Sequence, residues 1–408
     1  MKVVIVLDRF PVLTETFILN QIKGLVDAGI RVEIFSYNKG VQFISSQLSD
    51  IIKDSVSYKE TMPVSKIKRF SKAIKIIHRD LSLISFSKLL NALNFFKFGK
   101  RALSLELFYQ SYWFLKKEEN DIIHAHFGHV GLHIAKLKHL GFLQKEKFII
   151  TLHGYYIEEK FFKHNKTKYQ FLLKHANKII VNTPYSFNFI NKHFPSFKQL
   201  EILPVGLDTQ FYKPKKLKED YNFTIIFCGR LVPLKGPDLA ILIFNELIDR
   251  GFSNISLEVI GDGEMKGILS KMITEYKLEA KVKLRGFLND HGIKEIMNKG
   301  SAFLMPGIYD TVTGKAETQG LVIQEAQAME LPVVISNAGG MKYGMIDGQT
   351  GYVVKQGDVK EFANKIESLI MDRKSREKMG KRGREFVVKN YDNKVINTEL
   401  LFLYNSIM

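Results

Sequence analysis

Two short apolar runs, Ala302–Met305 and Val333–Ser336, flank a Gly/Thr-rich loop and a segment that predicts a helix from about Gly320 to Glu330. Runs this short, without polar alternation, suit strands buried on both faces, and a strand–loop–helix–strand order fits a parallel sheet. In such a sheet the loop and the first turn of the helix lie at the carboxyl ends of the strands, where ligands bind. Two carboxylates eight positions apart fall there, Glu317 in the loop and Glu325 a turn or more inside the helix. Gly320 leaves backbone N–H groups uncovered at the helix start, which suits a phosphate. One acid could then face a sugar and the other a ribose, although the spacing alone also fits two solvated glutamates.

The same kind of strand recurs along the chain, at residues 2–7, 31–36, 121–126, within FIITL before His153, at 178–184, and again at 223–228, 256–260 and 282–287. A length of 408 residues is too great for one ordinary domain, and 45% hydrophobic residues is enough for two cores. Pro204, Gly206 and the polar, Lys/Pro-rich stretch 213–220 mark a boundary. The expected class is α/β, with two doubly wound Rossmann-like domains at 1–205 and 206–385 and an apolar terminal helix in 386–408. The single cysteine, Cys228, excludes an internal disulfide and fits a reducing compartment. MKVVIVLDRF breaks at Asp8 after a short apolar run, so it reads as a first strand rather than a signal peptide. No run approaches the roughly 18 apolar residues of a membrane span.

Charge is unevenly placed. Residues 1–205 hold 31 Lys and Arg against 16 Asp and Glu, whereas the remainder holds 29 against 26. One half is therefore suited to an anionic partner. Between Pro63 and Arg101 lie ten basic residues and one acid, Asp80. Ile67, Phe70, Ile74, Ile77, Leu81 and Ile84 recur at steps of three and four, the stripe of an amphipathic helix. A basic amphipathic helix reads as binding an anionic membrane surface; the other reading packs the stripe on the core and leaves the lysines in water. No zinc-finger spacing or RNP-like string is present, so no nucleic-acid partner is expected.

His124, His126, His129 and His133 lie close together, but no carboxylate or cysteine accompanies them, and no metal site is expected. GRLVPLKGPD follows the strand at 223–228. Gly229 permits a tight turn, and Arg230 and Lys235 can flank a diphosphate, one as a fork and one as a point charge, unless both are plain surface cations. In GDGEMKG the glycines 261, 263 and 267 miss the G-x-G-x-x-G spacing by one residue, so no dinucleotide cofactor is expected.

These motifs together resemble glycosyltransferase family 4, the retaining GT-B enzymes, over nearly the whole chain. The resemblance rests on the Glu317/Glu325 pair before EAQAMELPVV, on GRLVPLKG, on the I-G-D-G turn at Gly261, on DGQTGYVV, on T-L-H-G at His153, and on HAHFGHVG. TETFILNQI resembles the start seen in the branch that builds bacterial exopolysaccharides and O-antigens, the colanic-acid-like enzymes. The resemblance implies a GT-B fold, two domains facing across a cleft. It implies donor binding by Gly229, Arg230, Lys235, Gly261, Glu317, Gly320, Leu321, Val322 and Glu325. Arg230 and Lys235 would neutralise the diphosphate and Glu317 contact the sugar, with Glu325 on the ribose and His153 beside the reacting centre. Thr14, Glu15 and His126 would lie on the acceptor side. The implied donor is a nucleoside diphosphate sugar, UDP rather than GDP, and the acceptor a lipid-linked saccharide at the inner face of the cytoplasmic membrane. No Asp-x-Asp string occurs, in keeping with metal independence. The alternatives are a GT-B nucleotide-sugar epimerase and a noncatalytic basic protein that binds lipid or nucleic acid. Three departures stand out: Val205 where the family's P-N-G-V-D turn has Asn, Lys342–Tyr343 where it has Pro-Glu, and no Gly-Gly loop after the first strand.

Overall fold

The computed structural model describes residues 1–12, 15–40, 55–116, 120–154, 159–215 and 222–408. Two parallel sheets organise it. The first contains β1 (Lys2–Phe10), β2 (Arg31–Lys39), β3 (Val56–Tyr58), β4 (Ile122–His126), β5 (Lys147–Leu152), β6 (Lys178–Val181) and β7 (Leu200–Ile202), in the order β3-β2-β1-β4-β5-β6-β7. The second contains β8 (Phe223–Cys228), β9 (Ile255–Ile260), β10 (Val282–Gly286), β11 (Ala302–Met305), β12 (Val333–Ser336) and β13 (Gly351–Val354), in the order β10-β9-β8-β11-β12-β13. Each order reverses beside its first strand, between β1 and β4 and between β8 and β11. The crevice beyond the carboxyl ends at such a reversal is where open α/β sheets bind ligands.

Burial on both faces explains the unbroken apolar runs. Val4 and Val6 point into a core with Phe35, Phe108 and Trp113, while Val3, Ile5 and Leu7 point into another with Ile18, Ile22 and Leu25. The second core contains residues from the far end of the chain: Ile396, Leu400 and Tyr404. The helix Arg373–Tyr391 still packs on the second sheet, with Val387 and Tyr391 in its core. The chain then breaks at Asp392, whose carboxylate accepts from Lys394 N at 2.9 Å, and the helix Asn393–Asn405 returns to the first sheet. The return lies beside the outward crossing: Leu207 N donates to Tyr391 O, and Asn393 N donates to Leu207 O, both at 2.9 Å. A Cβ at Gly24 would lie 1.9 Å from Asn397 Nδ2, so the returning helix needs a glycine on the helix Thr16–Asp27.

The basic segment differs from either sequence reading in its detail. Its helix spans Lys66–Arg79 and buries Ala73 and Ile76. Ile67, Phe70 and Ile74 are exposed, and so is Leu81, beyond the helix end; only Ile84 of the predicted stripe is buried. The bulky stripe faces water because the core contact is made one residue further round, through Ala73 and Ile76. Among the described residues no helix is long and apolar enough to cross a membrane.

Candidate active site

Loops from both sheets meet at Glu317–Gln319. Lys235, on the turn after β8, donates to the Glu317 carboxylate, and both side chains are largely buried. The other Glu317 oxygen accepts from Thr318 N at 3.1 Å and from Gly320 N at 3.2 Å. Burial alone would raise this carboxyl, but Lys235 and the N–H groups of Gln319 and Thr318 hold it below the ordinary value. The N–H of Gly320, expected to stay open for a phosphate, is therefore taken by Glu317. Gly320 itself has φ +71° and precedes the helix Leu321–Ala328, so the uncapped N–H groups of that first turn are those of Leu321 and Val322.

Glu325 lies about one turn into that helix and is partly exposed. Burial of its carboxyl and the nearby charge of Asp290 raise it to about 7, against a hydrogen bond from Tyr212 that favours the ionised form. Gly229 and Gly261 hold the neighbouring turns together. Gly261 has φ +138°, and a Cβ there would lie 1.9 Å from Gly229 O. Arg230 is exposed at the end of β8, with no ion pair or side-chain hydrogen bond among the described residues.

Across the crevice, three imidazoles stack. His124 and His126 lie on β4 with ring centroids 4.5 Å apart, and His126 and His153 lie 5.3 Å apart at 8°. His126 Nδ1 and His153 Nε2 share a hydrogen bond of 3.0 Å, and the Asn182 amide lies 3.3 Å from His153 Nδ1. His124 bonds Tyr404 Oη on the returning helix and Thr151 Oγ1, each at 2.7 Å. Burial lowers His124 and His153 to about 3 and His126 well below the usual range, so the stack is neutral at physiological pH. His126 Nε2 is buried without a hydrogen-bond partner. Phe17 and Phe127 wall His153 at 5.0 and 4.9 Å. Glu15 is half-buried, and burial with the charge of Asp8 raises it to about 7. Thr14 lies outside the described residues. Among the described residues no group of three His, Cys, Asp or Glu could hold a metal ion.

The two halves touch through Thr183, Thr318 and Gln319, which motif reading passed over, and through Gly154 and Val205, which it did not. A Cβ at Gly154 would lie 2.7 Å from Thr318 Oγ1, and Thr183 Oγ1 donates to Thr318 O at 3.0 Å. Gln319, buried, accepts from Val205 N and donates to Val205 O, both at 2.9 Å. A side-chain amide on the loop before the helix Leu321–Ala328 thus grips the backbone of the connector, at the position where the sequence departs from the family's Asn. That departure was the only signal available.

At Lys342–Tyr343, the other departure, the backbone forms a short 3-10 turn, Met341–Gly344, and Tyr391 Oη donates to Tyr343 O at 3.1 Å.

Two family models match this chain. The model described as "Glycosyltransferase Family 4" matches residues 14–211, and that described as "Glycosyl transferases group 1" matches residues 208–386. Between them they take in residues 14–386, every strand of the two sheets except β1, and the chain belongs to the family 4 glycosyltransferases of GT-B fold. It is 26% identical to the putative colanic acid biosynthesis glycosyltransferase WcaL of Escherichia coli, with 100% of each chain covered. It is 25% identical to the amylovoran biosynthesis glycosyltransferase AmsK of Erwinia amylovora, with 89% of each covered. Among solved structures, Anabaena HepE in complex with UDP superposes with a TM-score of 0.69 at 18% identity over 100% of both chains, which shows the fold.

Proposed function

We propose that this glycosyltransferase is a retaining hexosyltransferase of exopolysaccharide assembly, moving a sugar from a UDP-sugar to a lipid-linked saccharide at the inner face of the cytoplasmic membrane. The names of WcaL and AmsK support the polysaccharide, and the UDP held by HepE supports the donor. The observation that carries the reading is the convergence of Lys235, Glu317 and the His153–Gly154 turn on one crevice. Residues 1–205 take the acceptor and 206–385 the donor.

In this reading Lys235 turns from Glu317 to the diphosphate, joined by Arg230 and by the N–H groups of Leu321 and Val322. The bond from the anomeric carbon to the diphosphate oxygen breaks as the acceptor oxygen bonds to the same face. The acceptor's hydroxyl proton passes to the departing phosphate oxygen. Glu317, released from its ion pair, accepts hydroxyl donors of the sugar, and Glu325 those of the ribose. Neutral His153, its ring nitrogens engaged by His126 and Asn182, lines the crevice beside the reacting sugar without repelling Lys235. Incubation with UDP-sugars, scored by UDP release, tests this. Release should require acceptor; acceptor-independent conversion of the sugar would indicate an epimerase, and no turnover with any donor a noncatalytic protein.

Because side chains and helix N–H groups supply the positive charge, turnover should survive excess EDTA. Complete loss, restored by a divalent ion, would sink that part of the reading. The basic segment should carry the protein to its acceptor. Each cation near an anionic leaflet contributes about 1 kcal/mol, screened by salt. Arg69 and Lys72 bond backbone carbonyls, Lys72 also pairs with Glu60, and Arg79 pairs with Glu60 and Asp80. Lys66, Lys68 and Lys75 are exposed and have no acidic partner among the described residues. The protein should sediment with anionic vesicles and not with neutral ones, less so as salt rises. Reversing Lys66, Lys68 and Lys75 to Glu should weaken this adsorption and spare UDP binding; undiminished adsorption would refute their role.

A further inference from the structure

We propose that a groove between the helix Lys66–Arg79 and the segment Lys100–Leu105 is a binding site for a single long hydrocarbon chain that ends in a phosphate, the tail of the lipid-linked acceptor. It deepens the membrane reading above, and rests on it for the source of the lipid.

The helix presents the wrong residues to water for a packed amphipathic helix. Ile67 is 83% exposed, Phe70 61% and Ile74 55%, while Ala73 lies inside. Leu103, 71% exposed, stands on the facing wall, and buried Leu105 closes the floor. Between these walls is a volume of about 970 Å³, enough for a long aliphatic chain. The walls are fixed to one another. Arg69 donates to Ser104 O at 2.8 Å and to Pro63 O at 3.0 Å, and Tyr109 Oη donates to Arg69 O at 2.7 Å. Arg69 is thus spent on holding the walls together.

Charge selects the occupant. Lys66, Lys75 and Lys100 line the groove without an acidic partner among the described residues. The acids nearby are committed: Glu60 to Lys72 and Arg79, Asp80 to Arg79 and Tyr112, Glu106 to Arg101. An apolar trough with a cationic rim fits an anionic amphiphile better than a neutral lipid or a detergent cation. Position selects the source. The helix follows β3, the edge strand of the first sheet, which runs parallel to β4 and so ends on the side of the sheet where β4 ends in His126. A tail seated there is held by the same half of the chain that, in the reading above, takes the acceptor.

The test uses the full chain and dodecyl phosphate below its micellar concentration, by calorimetry. Dodecyl phosphate should bind at one per chain, whereas inorganic phosphate and dodecyltrimethylammonium should not. Ile67→Ser with Leu103→Ser, both at exposed positions, should weaken dodecyl phosphate by roughly tenfold or more through lost apolar contact and leave UDP binding unchanged. Lys75→Glu with Lys100→Glu should weaken it as well. Equal binding by the cationic amphiphile, or unaltered binding in the Ser variant, would overturn the site. So would a native dimer that the Ser variant splits and that takes no dodecyl phosphate, which would make the trough an interface between copies. Anionic-vesicle sedimentation is measured beside it: adsorption without dodecyl phosphate binding refutes the groove alone, and absence of both refutes the membrane reading too.

Discussion

Lys235→Ala should lower turnover by roughly 100-fold or more, since removing one preorganised charge stabiliser costs about 3–4 kcal/mol of barrier. Arg230→Ala should fall in the same range. The structure separates the two in the absence of donor. Arg230 is exposed and unpaired among the described residues, so its loss touches only the bound state. Lys235 is paired with Glu317 in a largely buried site, so its loss also strands a carboxylate. That carboxylate would then be raised by burial without its counterion. Lys235→Ala should therefore cost folding stability that Arg230→Ala does not, and Glu317→Gln in the same chain should restore it. Glu317→Gln alone should depress turnover while keeping UDP binding, because its proposed contact is with the sugar. The four proteins form a cycle, and residues in direct contact should show non-additive effects. Near-normal turnover in both cation variants, with circular dichroism unchanged, would sink the diphosphate assignment.

Strand positions were legible because a strand buried on both faces must be apolar throughout, and β8, β11 and β12 fall on the runs that announce them. The two-sheet architecture followed from repetition of that pattern. The Lys66–Arg79 helix was legible as a helix but not in its facing. Periodicity gives the angle between residues and cannot say which side meets the core, and here small Ala73 faces inward while Phe70 does not. The crevice carboxylates were placed by motif, yet their different states were not. Glu317 lies beside Lys235, Glu325 beside Asp290, and those neighbours are 82 and 35 positions away in the chain. The Gln319–Val205 clamp spans 114 positions and leaves only a missing Asn to announce it.

Native affinity for UDP, divided by that of Glu325→Gln, should rise with pH through about 7 and level off above it. Burial and Asp290 raise the Glu325 carboxyl to about 7, so below that pH it is mostly protonated before the nucleotide arrives. Ribose hydroxyls are donors, and a carboxylate accepts them better than a carboxylic acid. Binding therefore has to remove a proton at low pH, and affinity falls by up to roughly tenfold per unit below the midpoint. Taking the ratio to Glu325→Gln cancels ionisation of the nucleotide's own phosphate. It also cancels Glu15, which titrates near the same pH beside Asp8. The stacked histidines are held neutral throughout this range and contribute nothing. Two variants should move the midpoint in opposite directions. Asp290→Asn removes the neighbouring negative charge and shifts it to lower pH. Tyr212→Phe removes a hydrogen bond that favours the carboxylate and shifts it to higher pH. Calorimetry at fixed ionic strength reads all three, and a ratio that stays flat from pH 5 to pH 9 would mean that Glu325 is not the group that holds the ribose.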